Sequence, residues 1–148
     1  MTDTQDTQRI EKEIEVEAFI AKLKYALENG ASISFQENRQ VDKDRDIKYT
    51  NRYAISNLFP NENPVDILKR ELITLSKKEY IQTVKDIRYS NRSEMREFGR
   101  KYNLNDEIYI KIRVELLDSI ASGRTTTFVM SFHYTTTPFS DICFPYCN

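Results

Sequence analysis

The order of elements along the chain predicts an α+β fold, with a twisted antiparallel sheet of three to five strands packed by N-terminal helices. Three observations carry that expectation. Apolar residues recur at helical spacing between Ile10 and Leu27, and the segment from Glu107 to Leu117 alternates apolar with polar. Only 3 Gly and 4 Pro occur in 148 residues, too few for a turn-rich β-sandwich or a disordered chain. A chain of this length fits one domain, residues 1–148, and can bury about two-thirds of its unfolded surface without a metal or disulfide staple.

The first residues, 1–9, are polar and slightly acidic and are expected to be flexible. Ile10, Ile14, Phe19, Ile20, Leu23, Ala26 and Leu27 form the apolar stripe of a first helix, which Gly30 stops after Asn29. Ala31 to Phe35 alternates as a short strand, and residues 37–48 read as a charged, solvated loop. Asn51–Leu58 predicts a short helix ended by Pro60. Asn63-Pro64 then opens another helix, as N-cap and first helical position, with Val65, Ile67, Leu68, Leu72, Ile73 and Leu75 as its buried stripe.

Ser76 and Glu79 have capping-box spacing, which predicts a further helix to about Val84. Residues 86–105 are polar and basic and read as a helical turn and a loop anchored by Met95, Phe98 and Tyr102. In the last third, Ile108, Ile110, Ile112 and Val114 take one strand face, and Tyr109, Lys111, Arg113 and Glu115 the other. Ala121 to Arg124 supplies turn chemistry, and Thr125–Tyr134 returns as the second strand of an antiparallel hairpin. On that strand Phe128, Met130 and Phe132 are expected on one face, with Val129, Ser131 and His133 on the other. Residues 138–148 form an aromatic tail, read as a short edge strand.

The start lacks a basic region and an apolar core, so no secretory signal is expected, and no apolar run approaches the roughly 18–20 residues of a membrane helix. A cytoplasmic protein without a membrane partner follows as the expectation. Cys143 and Cys147 would close only a short tail loop as a disulfide, which stabilises little, so ordinary reduced thiols are expected. A zinc site wants four ligands and His133 is the only histidine, so neither metal nor cofactor is expected. The net charge of −1 conceals an uneven distribution. Residues 1–20 hold six acids and two bases, whereas residues 81–113 hold eight bases and five acids, a local excess that permits an RNA site.

No Gly-rich phosphate loop, G-x-S-x-G, H-E-x-x-H or paired C-x-x-C is present, which removes whole classes of enzyme. The hairpin is the remaining candidate. With the isoleucines facing the core, Tyr109, Lys111 and Arg113 project together at intervals of about 6.6–7 Å, and His133 belongs with that polar set. An ordinary solvated sheet face would look the same, as would a non-catalytic binding or inhibitor module that uses Tyr and Arg as interface anchors. Tyr, Lys, Arg and His on one face also suit metal-independent RNA cleavage. That reaction needs an acid, a base and cations around a phosphate.

Short motifs along the chain sharpen the choice. Leu75-Ser76-Lys77-Lys78-Glu79-Tyr80 is followed by a basic segment with Phe98-Gly99. Glu107-Ile108-Tyr109-Ile110-Lys111-Ile112 comes next, then Val129-Met130-Ser131-Phe132-His133. Across residues 16–146 this order resembles the MqsR-type toxins, mRNA interferases of type II toxin–antitoxin pairs whose fold is RelE-like. A Pro-Tyr tail found in some relatives is matched by Pro145-Tyr146.

The resemblance implies an endoribonuclease that cleaves mRNA by 2′-hydroxyl transesterification and is neutralised by a cognate antitoxin protein. It implies active-site roles for Tyr109, Lys111 and His133, to which the charge on the hairpin face adds Arg113. Gln82 stands where part of the family has a functional lysine, and the family's polar position beside Phe98-Gly99 falls on Arg96 or Arg100. Together with Lys101, these residues are the candidate RNA contacts. The hairpin turn over residues 115–125 is longer than the family's.

Overall fold

The computed structural model describes residues 6–38, 46–86, 93–116 and 125–148. Among them three α-helices pack on one face of a six-stranded mixed sheet, so the architecture is α+β around one hydrophobic core. No helix among the described residues is long and apolar enough to cross a membrane.

Helix α1 spans Glu13–Glu28, where the Glu15 carboxylate accepts the Lys12 backbone N–H at 2.9 Å to close its first turn. Its buried stripe is Val16, Phe19, Leu23, Ala26 and Leu27, while Ile10 and Ile14 are exposed. The stripe is thus one turn shorter than the periodicity predicts. Gly30 stops the helix with φ +81°, a backbone angle that only glycine adopts without strain.

Helix α2 covers Asn51–Leu58 with the Thr50 hydroxyl capping the Tyr53 N–H at 3.2 Å. Helix α3, Pro64–Leu72, is capped by Asn63 and contributes Ile67, Leu68 and Leu72 to the core. Val65 remains exposed on its outer side.

The strands are β1 (Asp6–Arg9), β2 (Ser32–Phe35), β3 (Tyr80–Asp86), β4 (Met95–Tyr102), β5 (Asp106–Leu116) and β6 (Thr125–Tyr134). Their order in the sheet is β1-β3-β4-β5-β6-β2. The expected antiparallel sheet of three to five strands is therefore corrected twice. Six strands are present, and β2 pairs parallel to β6 (Phe35 opposite Val129). Residues 6–9, expected to be flexible, form an edge strand on β3, with Gln8 opposite Val84.

The helix expected from Ser76 to about Val84 is also corrected. The capping box is real, with the Ser76 N–H on Glu79 at 3.0 Å, but it closes a single 3-10 turn over Lys77–Glu79. Tyr80 to Asp86, rich in β-branched and aromatic residues at its start, then runs as β3. Of the segment read as a turn and loop, residues 87–92 lie outside the described residues and Met95–Tyr102 is β4, which looks polar because Arg96 and Arg100 point to the helix-covered face. There each meets an acid. Arg96 Nε lies 2.7 Å from Glu11, and Arg100 Nε 2.7 Å from Glu79.

The tail is not a strand. A 3-10 turn at Phe139–Asp141 brings Phe139 and Phe144 onto the sheet over Gly99, and the Tyr146 hydroxyl donates to the Glu11 carbonyl. The turn expected at Ala121–Arg124 and most of the charged loop, residues 39–45, lie outside the described residues.

Candidate functional site

The hairpin register decides which side chains meet. Tyr109 stands opposite His133, Lys111 opposite Ser131, and Arg113 opposite Phe128. The register slips by one residue between Lys111 and Ile112, where Met130 is the extra residue of a β-bulge in β6. The expected face assignment fails beyond this point. Val129 joins Phe132 in the core opposite Ile112, while Phe128 lies on the outer face with Ser131 and His133.

On β4 the residues paired with this face are Glu97, opposite Lys111, and Gly99, opposite Tyr109. On β3, Gln82 pairs with Glu97. The outer face is therefore ordered in rows across the sheet. One row reads Gln82, Glu97, Lys111, Ser131, and the next reads Gly99, Tyr109, His133.

These rows floor a cleft of about 420 Å³. Gln82, Glu97, Tyr109, Lys111, Ser131 and His133 line it, and Ile81, Thr135–Thr137 and Ile142 complete the wall. Its size falls in the range of small-ligand sites, roughly 300–1,000 Å³. The tail shapes one side, because the absence of a Cβ at Gly99 lets Phe139 and Phe144 lie directly on the strand.

Two ionisable groups in the cleft are nearly buried, Glu97 at 7% and His133 at 6% exposure. Gln82 Nε2 donates to the Glu97 carboxylate at 3.2 Å and orients it. His133 Nδ1 lies 2.8 Å from the Tyr134 carbonyl. A carbonyl only accepts, so Nδ1 carries the proton there, and the basic lone pair of the neutral ring is on Nε2. The Tyr109 and His133 rings are 5.4 Å apart, tilted by 42°. Lys111 stands between Glu97 and Ser131 on the central strand, and among the described residues no ion pair within 4 Å holds its ammonium.

Of the residues predicted from sequence, Tyr109, Lys111, His133 and Gln82 are brought together. The others are not. Arg113 is on the same face but outside the cleft lining, buried over the Phe128 ring at 4.4 Å and paired with Glu115 at 3.1 Å. Arg96 and Arg100 belong to the opposite, helix-covered face. Arg96 stacks on Phe19 at 4.5 Å, and Arg100 bonds Glu79, Thr74 and the Glu71 carbonyl. Burial alone would pull the Arg100 pKa down, but Glu79 more than offsets it and the guanidinium stays charged. Lys101 is exposed and outside the cleft lining, 3.7 Å from Glu107.

Glu97 is the residue that sequence reasoning missed. Its signal was the alternation of Met95, Glu97 and Gly99 against Arg96, Phe98 and Arg100, masked by arginines on the buried face.

No protein-family model, curated protein or solved structure matches the chain. Its site must be read from its own residues. Among the described residues no group of three or more His, Cys, Asp or Glu side chains could hold a metal ion, and Cys143 and Cys147 are exposed free thiols. What the cleft offers is a carboxylate, an ammonium and an imidazole in sequence across three adjacent strands. That set can move protons and hold an anion.

Proposed function

We propose that this chain is a toxin endoribonuclease of the RelE-like group, an mRNA interferase that a cognate antitoxin protein neutralises. The observation that carries this reading is one cleft lined by Glu97 on β4, by Lys111 opposite it on β5, and by His133 on β6, one row further along beside Tyr109.

In transesterification of RNA the attacking 2′-oxygen and the leaving 5′-oxygen take opposite apical positions on phosphorus. A phosphate held by the Lys111 ammonium has a proton acceptor on one flank and a proton donor on the other. Glu97 takes the proton of the 2′-hydroxyl, and the 2′-oxygen bonds to phosphorus. The bond from phosphorus to the 5′-oxygen breaks, and imidazolium His133 gives its Nε2 proton to the leaving oxygen. The products are a 2′,3′-cyclic phosphate and a 5′-hydroxyl.

Lys111 neutralises the non-bridging oxygens as charge builds, an effect worth about 10²–10³-fold in rate, and each proton transfer contributes about 10²–10⁴-fold. Tyr109 stacks a base of the single strand, the form in which RNA bases are accessible to aromatic rings. Arg113 takes no part, because it lies outside the cleft lining, buried over the Phe128 ring.

The test is induced expression in a host cell. Growth should arrest, mRNA should be cut, and the product of a neighbouring gene should relieve both. His133→Ala and Lys111→Ala should each lose at least about a hundredfold in cleavage while remaining folded. Normal growth at high expression of folded protein would favour a non-catalytic binding module instead.

A further inference from the structure

The bulge at Met130 makes the site possible. Without it Val129 and His133, four residues apart, would fall on one face of β6, so either Val129 would leave the core or His133 the cleft. A bulge also breaks the ladder and leaves edge groups unpaired. β2 satisfies the outer edge of β6 only as far as Val129, whose carbonyl accepts the Gln36 N–H at 3.1 Å.

Beyond that point, among the described residues, a side chain meets the backbone. Asn51 Nδ2 donates to the Met130 carbonyl at 2.9 Å and to the Gln36 carbonyl at 2.8 Å, while Asn51 Oδ1 accepts the Phe132 N–H at 3.0 Å. A residue of a parallel strand facing Ser131 would bond this same pair, the carbonyl before and the N–H after. The carboxamide thus continues the β2 ladder after the chain of β2 has turned away. Asn51 is 3% exposed, and α2 does not need its side chain as a cap, because Thr50 serves that end.

We propose that Asn51 is a positioning residue for His133: it fixes the phase of β6 across the bulge and thereby aims the imidazole into the cleft. The catalytic consequence rests on the ribonuclease reading above, whereas the geometric one does not. The experiment is a comparison of Asn51→Ala, Asn51→Asp and Thr50→Ala with the wild type, read by ¹⁵N NMR of the His133 ring and by RNA cleavage. Thr50→Ala is the control, since it weakens α2 without touching β6.

Asn51→Ala should move the His133 ring signals and lower kcat by about tenfold to a hundredfold with little change in KM, as expected of a misplaced group. Thr50→Ala should do neither. Asn51→Asp keeps the acceptor for Phe132 but loses the donor to Met130, and should shift the ring in the same direction. It carries the test if Asn51→Ala does not fold. His133 signals that stay unchanged in the folded Asn51 variant would overturn the proposal. Ring signals that move in a protein without cleavage activity would uphold the positioning and refute the ribonuclease reading instead.

Discussion

Gly99→Ala tests how the tail closes the cleft. Gly99 has ordinary strand backbone, so its role is the missing side chain. A Cβ there would sit 2.8 Å from Phe139 Cζ and 2.9 Å from Phe144 Cε1 and Cζ. Carbon atoms pack at about 3.5–4.0 Å, so both rings must retreat by roughly 0.6–1.2 Å. Neither can swing alone, because they pack edge to face at 5.3 Å. The Phe139 N–H is further held by Glu107 at 3.0 Å. Overpacking of this kind costs about 1–3 kcal/mol. Ring tips give more easily than backbone, which favours the lower half of that range, or a fall in Tm of about 2–8 °C for a chain of this size. Thermal unfolding and carboxypeptidase digestion provide the readout, with the tail cut faster in the variant. Equal Tm and equal digestion would mean that the tail does not rest on Gly99.

Other perturbations separate stability from chemistry. Burial pushes the Glu11 carboxyl up, but hydrogen bonds from Arg96 and Thr83 and the charges of Arg96 and Arg9 hold it below the ordinary carboxylate range. Stability from a depressed carboxyl is present above its unfolded pKa of about 4.3 and is lost as pH falls through the folded value. Glu11→Gln should therefore be less stable at pH 7, by about 3 kcal/mol as the lower end for breaking a buried pair, and flatter in its Tm as pH falls below about 4.3; an unaltered acid slope would refute the assignment. Ile110→Ala should lose about 2–5 kcal/mol through a cavity, with the folded fraction still active, which combined calorimetry and cleavage would show.

The sequence signals that succeeded were those in which one face of an element is apolar throughout. Ile108, Ile110, Ile112 and Val114 fixed β5 and with it the outward set of Tyr109 and Lys111. Asn63-Pro64 marked the start of α3 for a local reason, the fit of cap and proline to a helix end. β4 was hidden because its buried face carries Arg96 and Arg100, tolerable only through Glu11 and Glu79, which are remote in sequence. β3 was misread because a correct capping box does not state how long the helix after it will be. β1 has no apolar face, and its pairing with β3 is a backbone event. The bulge at Met130 escaped for a similar reason: one inserted residue leaves composition unchanged but reverses the facing of every residue on one side of it. Val129 and Phe128 were exchanged accordingly, while His133 kept its predicted face.

If Glu97, Lys111 and His133 cleave RNA without a metal, as proposed, the end groups of the products show it most directly. Purified chain should be incubated with single-stranded RNA in excess EDTA and the fragments resolved by mass spectrometry. Cleavage should be undiminished by the chelator, the fragments should end in a 2′,3′-cyclic phosphate and a 5′-hydroxyl, and Glu97→Gln and His133→Ala should each lose at least about a hundredfold. Cleavage that requires magnesium and leaves 5′-phosphates, or full activity in both variants, would contradict it.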